Sequence, residues 1–101
     1  MELIYHITTK EELEIAIKLG YYEAASLESE GFIHCSKSDQ VAGVLNMYYQ
    51  GKVELLKLEI NPDKLTSKMQ FDFSPSVKET FPHIYGRINL DAIDSVIDLE
   101  I

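Results

Sequence analysis

Residues 3–20, LIYHITTKEELEIAIKLG, hold a strand and a helix in immediate succession, and the passage from one to the other decides the fold class. Leu3–Ile7 is rich in residues that favour extended backbone and reads as a first strand. Thr8 with Glu11, or Thr9 with Glu12, has the spacing of a capping box, in which a hydroxyl and a carboxylate satisfy the open N–H groups of a first helical turn. Leu13, Ala16 and Ile17 supply an apolar stripe at helical spacing, and Gly20 suits the left-handed residue that ends a helix.

Outward from this unit, the polar residues 26–31 (SLESEG) read as a loop and Gly31–Cys35 as a short strand. Ser36 is expected to begin a second helix, with Val41, Val44, Leu45 and Tyr48 on one face and Gly51 closing it. Val53–Ile60 (VELLKLEI) is the clearest strand, because Leu56, Leu58 and Ile60 alternate with Leu55, Lys57 and Glu59. Asn61-Pro62 opens a single helical turn. Met69–Phe73 and His83–Tyr85 are short strands around the SPSVKE loop, and Ile97, Leu99 and Ile101 alternate with Asp98 and Glu100 in a one-sided last strand. Strands outnumber helices and the two main helices come early, which predicts an α+β fold with a mostly antiparallel sheet.

With 101 residues, the chain is read as a single domain, 1–101, with no linker or repeat. Seventeen acidic against nine basic residues give a net charge of −8, which argues against nucleic acid as partner, because phosphate binding rests on Lys and Arg. No apolar run approaches the roughly 20 residues of a membrane span. The opening MELIYHITTKEE is too acidic for a signal peptide, and the single cysteine fits a reducing compartment. A cytoplasmic location with no membrane partner is therefore expected.

Three histidines stand at strand-like segments followed by polar or turn residues: His6 in YHITT, His34 in GFIHCS and His83 in FPHIYG. Each is a candidate ligand-binding group, since imidazole donates, accepts and carries charge near neutral pH; each also fits a residue that ties a loop to the core. A helix starting at Ser36 would set backbone N–H groups and a positive dipole end beside His34, a corner that attracts anions, with a plain strand–helix turn as the alternative. Cys35 reads as a small buried residue rather than a nucleophile. No CxxC or HxxxH spacing supports a zinc site from His6, His34, Cys35 and His83, so no metal is expected. Pro82 holds Phe81 extended, and His83 and Tyr85 share one strand face, able to grip a hydroxyl and stack on a ring, or to plug a core. Gln70 and Asp72 share a face of the preceding strand, and Asp72 is the carboxylate nearest in sequence to this cluster.

YHITT, EGFIHCS and FPHIYG together resemble a group of small, mostly bacterial proteins called domain of unknown function 952, over essentially the whole chain. The resemblance implies a fold like that of ADP-ribosyltransferases: a split, mostly antiparallel sheet with helices at its sides. It also implies roles. His6 in the first strand would bind the nicotinamide-side ribose of NAD. Asp72, where the family usually has a glutamate, would stand near the reacting sugar and stabilise an oxocarbenium-like state. Two functions follow as expectations. One is a domain that binds a small molecule or peptide through His6, His34, Ser36, His83 and Tyr85 without assured activity. The alternative is an NAD-dependent ADP-ribosyl transferase or an NAD or nucleotide glycohydrolase, with Asp72 catalytic and NAD as cofactor.

Overall fold

In a computed structural model that describes residues 2–99, strand β1 (Ile4–Thr9) runs antiparallel to β4 (Leu55–Ile60), with Ile4 opposite Ile60 and Thr9 opposite Leu55. β4 pairs on its other side with β8 (Ile93–Asp98), again antiparallel. The alternation along β4 is read out as expected: Leu56, Leu58 and Ile60 are all buried. Leu55 is buried as well, because that end of the strand is covered by a second small cluster with Ile7 and Val41.

β1 passes directly into α1 (Lys10–Leu19). Thr9, not Thr8, is the cap: its Oγ1 accepts from the Glu12 amide at 3.1 Å, while the buried Thr8 hydroxyl is engaged with the Tyr22 hydroxyl and the Glu12 carboxylate. Gly20 ends the helix at φ 90, where its N–H donates to the Ala16 carbonyl; a side chain there would be strained. Ala16 is buried and Leu13 packs beside it, but Ile17 points to solvent with 61% of its surface exposed. The short helix touches the sheet along a narrower stripe than its apolar pattern suggests.

A second sheet has the order β3 (Ile33–His34), β6 (Glu79–Tyr85), β5 (Lys68–Ser74), all antiparallel. Its strands contain both expected segments, Met69–Phe73 and His83–Tyr85, and run beyond them. A two-residue ladder joins β2 (Tyr21–Tyr22) to β7 (Ile88–Asn89). The fold is therefore α+β with antiparallel sheets and few helices. Its main core gathers Ile4, Tyr22, Ile33, Leu58, Ile60, Ile84 and Ile88 between the sheets, each 2% exposed or less. A buried Ile or Leu of this kind contributes roughly 1.5–3 kcal/mol of transfer free energy.

Several local expectations are corrected. Residues 26–31 are not a loop, because α2 (Ala25–Glu30) forms there and ends on Gly31 at φ 88. None of its residues is buried, so it shows no apolar period in the sequence. Ser36 does not start a helix. Its N–H donates to the Tyr5 carbonyl at 2.7 Å, and its carbonyl accepts from the Tyr5 N–H at 2.8 Å, a β-bridge that joins the second sheet to the first. A 3-10 turn at Ser38–Gln40 follows, and only then α3 (Val41–Tyr48). Tyr48 is 60% exposed rather than part of a buried face, and the helix stops three residues before Gly51. The last strand lies at Ile93–Asp98, earlier than expected, with Leu99 just past its end; Glu100 and Ile101 lie outside the described residues. Among the described residues no helix is long and apolar enough to cross a membrane.

Candidate functional site

The alternation of β6 builds the site. Pro82 and Ile84 are buried against the core, so Phe81, His83 and Tyr85 face the opposite way. The β5 register puts Gln70 opposite His83 and Asp72 opposite Phe81. On the other flank, Ile33 and Cys35 point inward, which turns Phe32 and His34 outward, with His34 directly opposite His83. Phe32, His34, Gln70, Asp72, Phe81, His83 and Tyr85, from three segments, thus share one sheet face.

Asp72 is the polar hub of this face. Its Oδ1 accepts from Gln70 Nε2 at 2.6 Å; its Oδ2 accepts from His83 Nδ1 at 2.7 Å and from the Tyr85 hydroxyl. The bonds from Gln70 and Tyr85, then that from His83, hold its pKa down at about 2, so the carboxylate is charged throughout the neutral range. The same carboxylate pushes the Tyr85 phenol up. Because a carboxylate only accepts, His83 Nδ1 carries a proton, and in the neutral ring Nε2 is left with a lone pair. That nitrogen has no hydrogen-bond partner among the described residues. Phe32 lies flat on the His83 ring, centroids 4.1 Å apart and 14° from parallel, and fixes its plane. His34 stands edge-on to His83 at 5.1 Å, with its Nε2 bonded to Glu30 Oε2 at 3.0 Å.

His6 does not join this cluster. It is 6% exposed, and both ring nitrogens are engaged: Nδ1 with the His34 carbonyl at 2.6 Å, Nε2 with the Tyr22 hydroxyl at 2.8 Å. The carbonyl can only accept, so the proton sits on Nδ1; burial pushes the pKa down and keeps the ring neutral. The Tyr22 hydroxyl also lies 2.8 Å from Thr8 Oγ1, which closes a buried chain from β3 through β1 to β2. Ser36 is 5% exposed and held to Tyr5, and the Cys35 N–H donates to the Pro82 carbonyl at 3.0 Å. The corner expected to attract anions therefore has its amides engaged in the sheet and no helix at its end. Cys35 is a small buried residue, as its sequence context predicts, and burial pushes its thiol far up.

His34 and His83 border a cleft of about 1020 Å³ whose other walls come from β1, α3 and the segment after β5. Aromatic rings dominate it, among them Tyr5, Phe32, Tyr48, Tyr49, Phe73 and Phe81. Among the described residues, Asp39 and Glu79 line it against a single lysine, Lys52. Gln40 braces its floor: Oε1 accepts from the Lys37 N–H at 2.9 Å, and Nε2 donates to the Thr80 carbonyl at 2.9 Å and to Glu79 at 3.2 Å. Sequence reasoning misses Phe32, Glu30 and Gln40. Phe32 carries a signal, since a strand through GFIHCS puts it two residues before His34 on the same face. The other two depend on contacts the sequence does not display.

A sequence profile of the family described as "Protein of unknown function (DUF952)" matches residues 7–96. Among solved structures, the crystal structure of protein CC0527 from Caulobacter crescentus is similar at a TM-score of 0.88 and 26% identity, covering 98% of this chain and 87% of that one. The solution NMR structure of CC0527 gives a TM-score of 0.84 at 26% identity, with 100% and 87% covered. No curated protein sequence matches the chain.

Proposed function

From the premise that the chain belongs to this family of proteins of unknown function, we propose that it binds a small molecule in the cleft, with His83 as the principal polar contact and Phe32 as the stacking surface. One observation carries the reading: Asp72 holds the His83 and Tyr85 heads on one strand face, and His83, whose Nε2 has no hydrogen-bond partner among the described residues, borders the cleft. Ligand sites are commonly concave, largely apolar and equipped with a few fixed polar groups, and this cleft has that composition. Asp72 acts here as a positioning residue, because all its donors are neighbours on its own sheet.

A ligand titration followed by NMR of the histidine rings tests the proposal, with adenosine, NAD and short aromatic peptides as probes and EDTA present. Saturable shifts of His83 and Phe32 that disappear in His83→Ala are expected. No shift from any probe at millimolar concentration would remove the cleft as a binding site for these classes.

The alternative drawn from the resemblance, an NAD-dependent ADP-ribosyl transferase or glycohydrolase, is supported by the split antiparallel architecture. Three features weigh against it: the engaged nitrogens of His6, the three donors already on Asp72, and a cleft with two carboxylates and one lysine for a pyrophosphate. Release of nicotinamide from NAD, abolished in Asp72→Asn, would reinstate it.

A further inference from the structure

We propose that His34 and His83 form an open chelating site for a divalent transition-metal ion of the copper, nickel and zinc class. The two residues are direct cross-strand partners on β3 and β6, and their ring centroids stand 5.1 Å apart. Two imidazoles on one tetrahedral ion, with metal–nitrogen bonds of about 2.0–2.1 Å, place their centroids roughly 5 Å apart. The ring separation is compatible with a shared ion.

The hydrogen bonds prepare each ring in the same sense. His34 Nε2 donates to Glu30 Oε2 at 3.0 Å, and His83 Nδ1 donates to Asp72 Oδ2 at 2.7 Å. In the neutral rings the protons sit on those nitrogens, and the lone pairs belong to His34 Nδ1 and His83 Nε2. Neither of these has a hydrogen-bond partner among the described residues. A carboxylate behind each imidazole is the arrangement that orients metal-binding histidines and raises their basicity. Phe32 flanks both rings, stacked on His83 and edge-on to His34 at 4.9 Å, and restricts their rotation.

His6 and Cys35 take no part, because both nitrogens of the first are engaged and the thiol of the second is buried. Among the described residues no group of three or more His, Cys, Asp or Glu is placed to hold an ion. The site therefore has two protein ligands and leaves the other positions to water or to donor atoms of a molecule in the cleft. Imidazole ligands and the usual order of divalent affinities put copper first, with nickel and zinc weaker.

The experiment is a calorimetric titration of untagged protein with copper, nickel and zinc salts near neutral pH, with histidine-ring NMR for the diamagnetic zinc. One ion per chain is expected, with the His34 and His83 signals moving and those of His6 still. Glu30→Gln and Asp72→Asn, which keep both rings, should each weaken binding by about 10-fold. His34→Ala and His83→Ala, which each remove a ligand, should lower the affinity at least as much. Unmoved His6 signals in each variant report an intact fold. No binding at millimolar metal, or binding indifferent to both alanine variants, would overturn the proposal. The cleft titration in EDTA is unaffected by either result, so the two readings fail separately.

Discussion

His6 and His83 begin from the same sequence description, a histidine within two residues of a tyrosine in a β-rich segment, and end in different environments. Around His6 the protein supplies a partner for each ring nitrogen and covers the ring; around His83, which borders the cleft, it supplies one partner, a carboxylate, and among the described residues none for the other nitrogen. The difference shows that the number of ring nitrogens engaged by the protein separates a structural histidine from one available to a ligand. Residue type and strand position do not separate them.

The comparison breaks first at His6. His6→Ala leaves the Tyr22 hydroxyl and the His34 carbonyl without their partner and opens a void beneath β3, and is expected to cost about 3 kcal/mol in urea denaturation. His83→Ala should cost less than His6→Ala, since only one of its ring nitrogens has a partner to lose and that partner, Asp72, keeps the bonds from Gln70 and Tyr85. Equal losses in the two variants would erase the distinction between them.

Tyr22→Phe is the next test. It removes only the hydroxyl between His6 Nε2 and Thr8 Oγ1, and a loss of about 1–2 kcal/mol is expected by the same assay.

The pH dependence sharpens the contrast further. Burial lowers the pKa of His6 in the folded state below the ordinary 6.5, so below that pH the unfolded chain binds a proton that the folded chain refuses. Stability is then fully present above pH 6.5 and falls as the pH drops toward the folded pKa. Asp72 has the same sign in a lower window: its contribution is present above the ordinary carboxylate value of 3.8 and is lost toward about 2. Denaturation midpoints measured from about pH 8 to about pH 5 should decline in the parent and decline less in His6→Gln. A flat parent profile would contradict a neutral buried His6.

Asp72→Asn should have the smallest effect on stability at neutral pH, because the amide oxygen still accepts from donors on that face, and should abolish the Asp72 share of the decline toward pH 2. Its effect should appear instead in NMR as renewed ring motion of His83 and Tyr85. Unchanged ring signals would show that Phe32 packing alone orients His83.

Much of the second sheet is legible in the sequence. His83 and Tyr85, and likewise Gln70 and Asp72, share faces because side chains alternate along a strand, and a hairpin through SPSVKE brings the two pairs together. The Asp72 cluster follows from period and proximity. Ser36 misleads because its local signal, a serine ahead of an apolar stripe, competes with pairing to Tyr5, a partner 31 residues away that the signal does not contain. α2 escapes sequence reading for the complementary reason: it packs only Leu27 against the core, too little for an apolar period, and Gly31 with the Ser26 hydroxyl on the Phe32 carbonyl closes it. Phe32 is the intermediate case, since its place two residues before His34 is enough to predict the shared face.

The sequence by itself determined the α+β class, a capped start of α1 at Thr8 or Thr9 and its Gly20 stop, the core alternation of β4 and the company of Asp72, His83 and Tyr85. Each of these rests on residues adjacent along the chain or one hairpin apart, where backbone periodicity dictates geometry. Only the tertiary structure decided that His6 is sealed between His34 and Tyr22, that Ser36 bridges two sheets, and that His34 meets His83 across β3 and β6. Those outcomes rest on partners 16 to 49 residues apart. Such pairings are selected by packing of the whole core, and no local pattern encodes them.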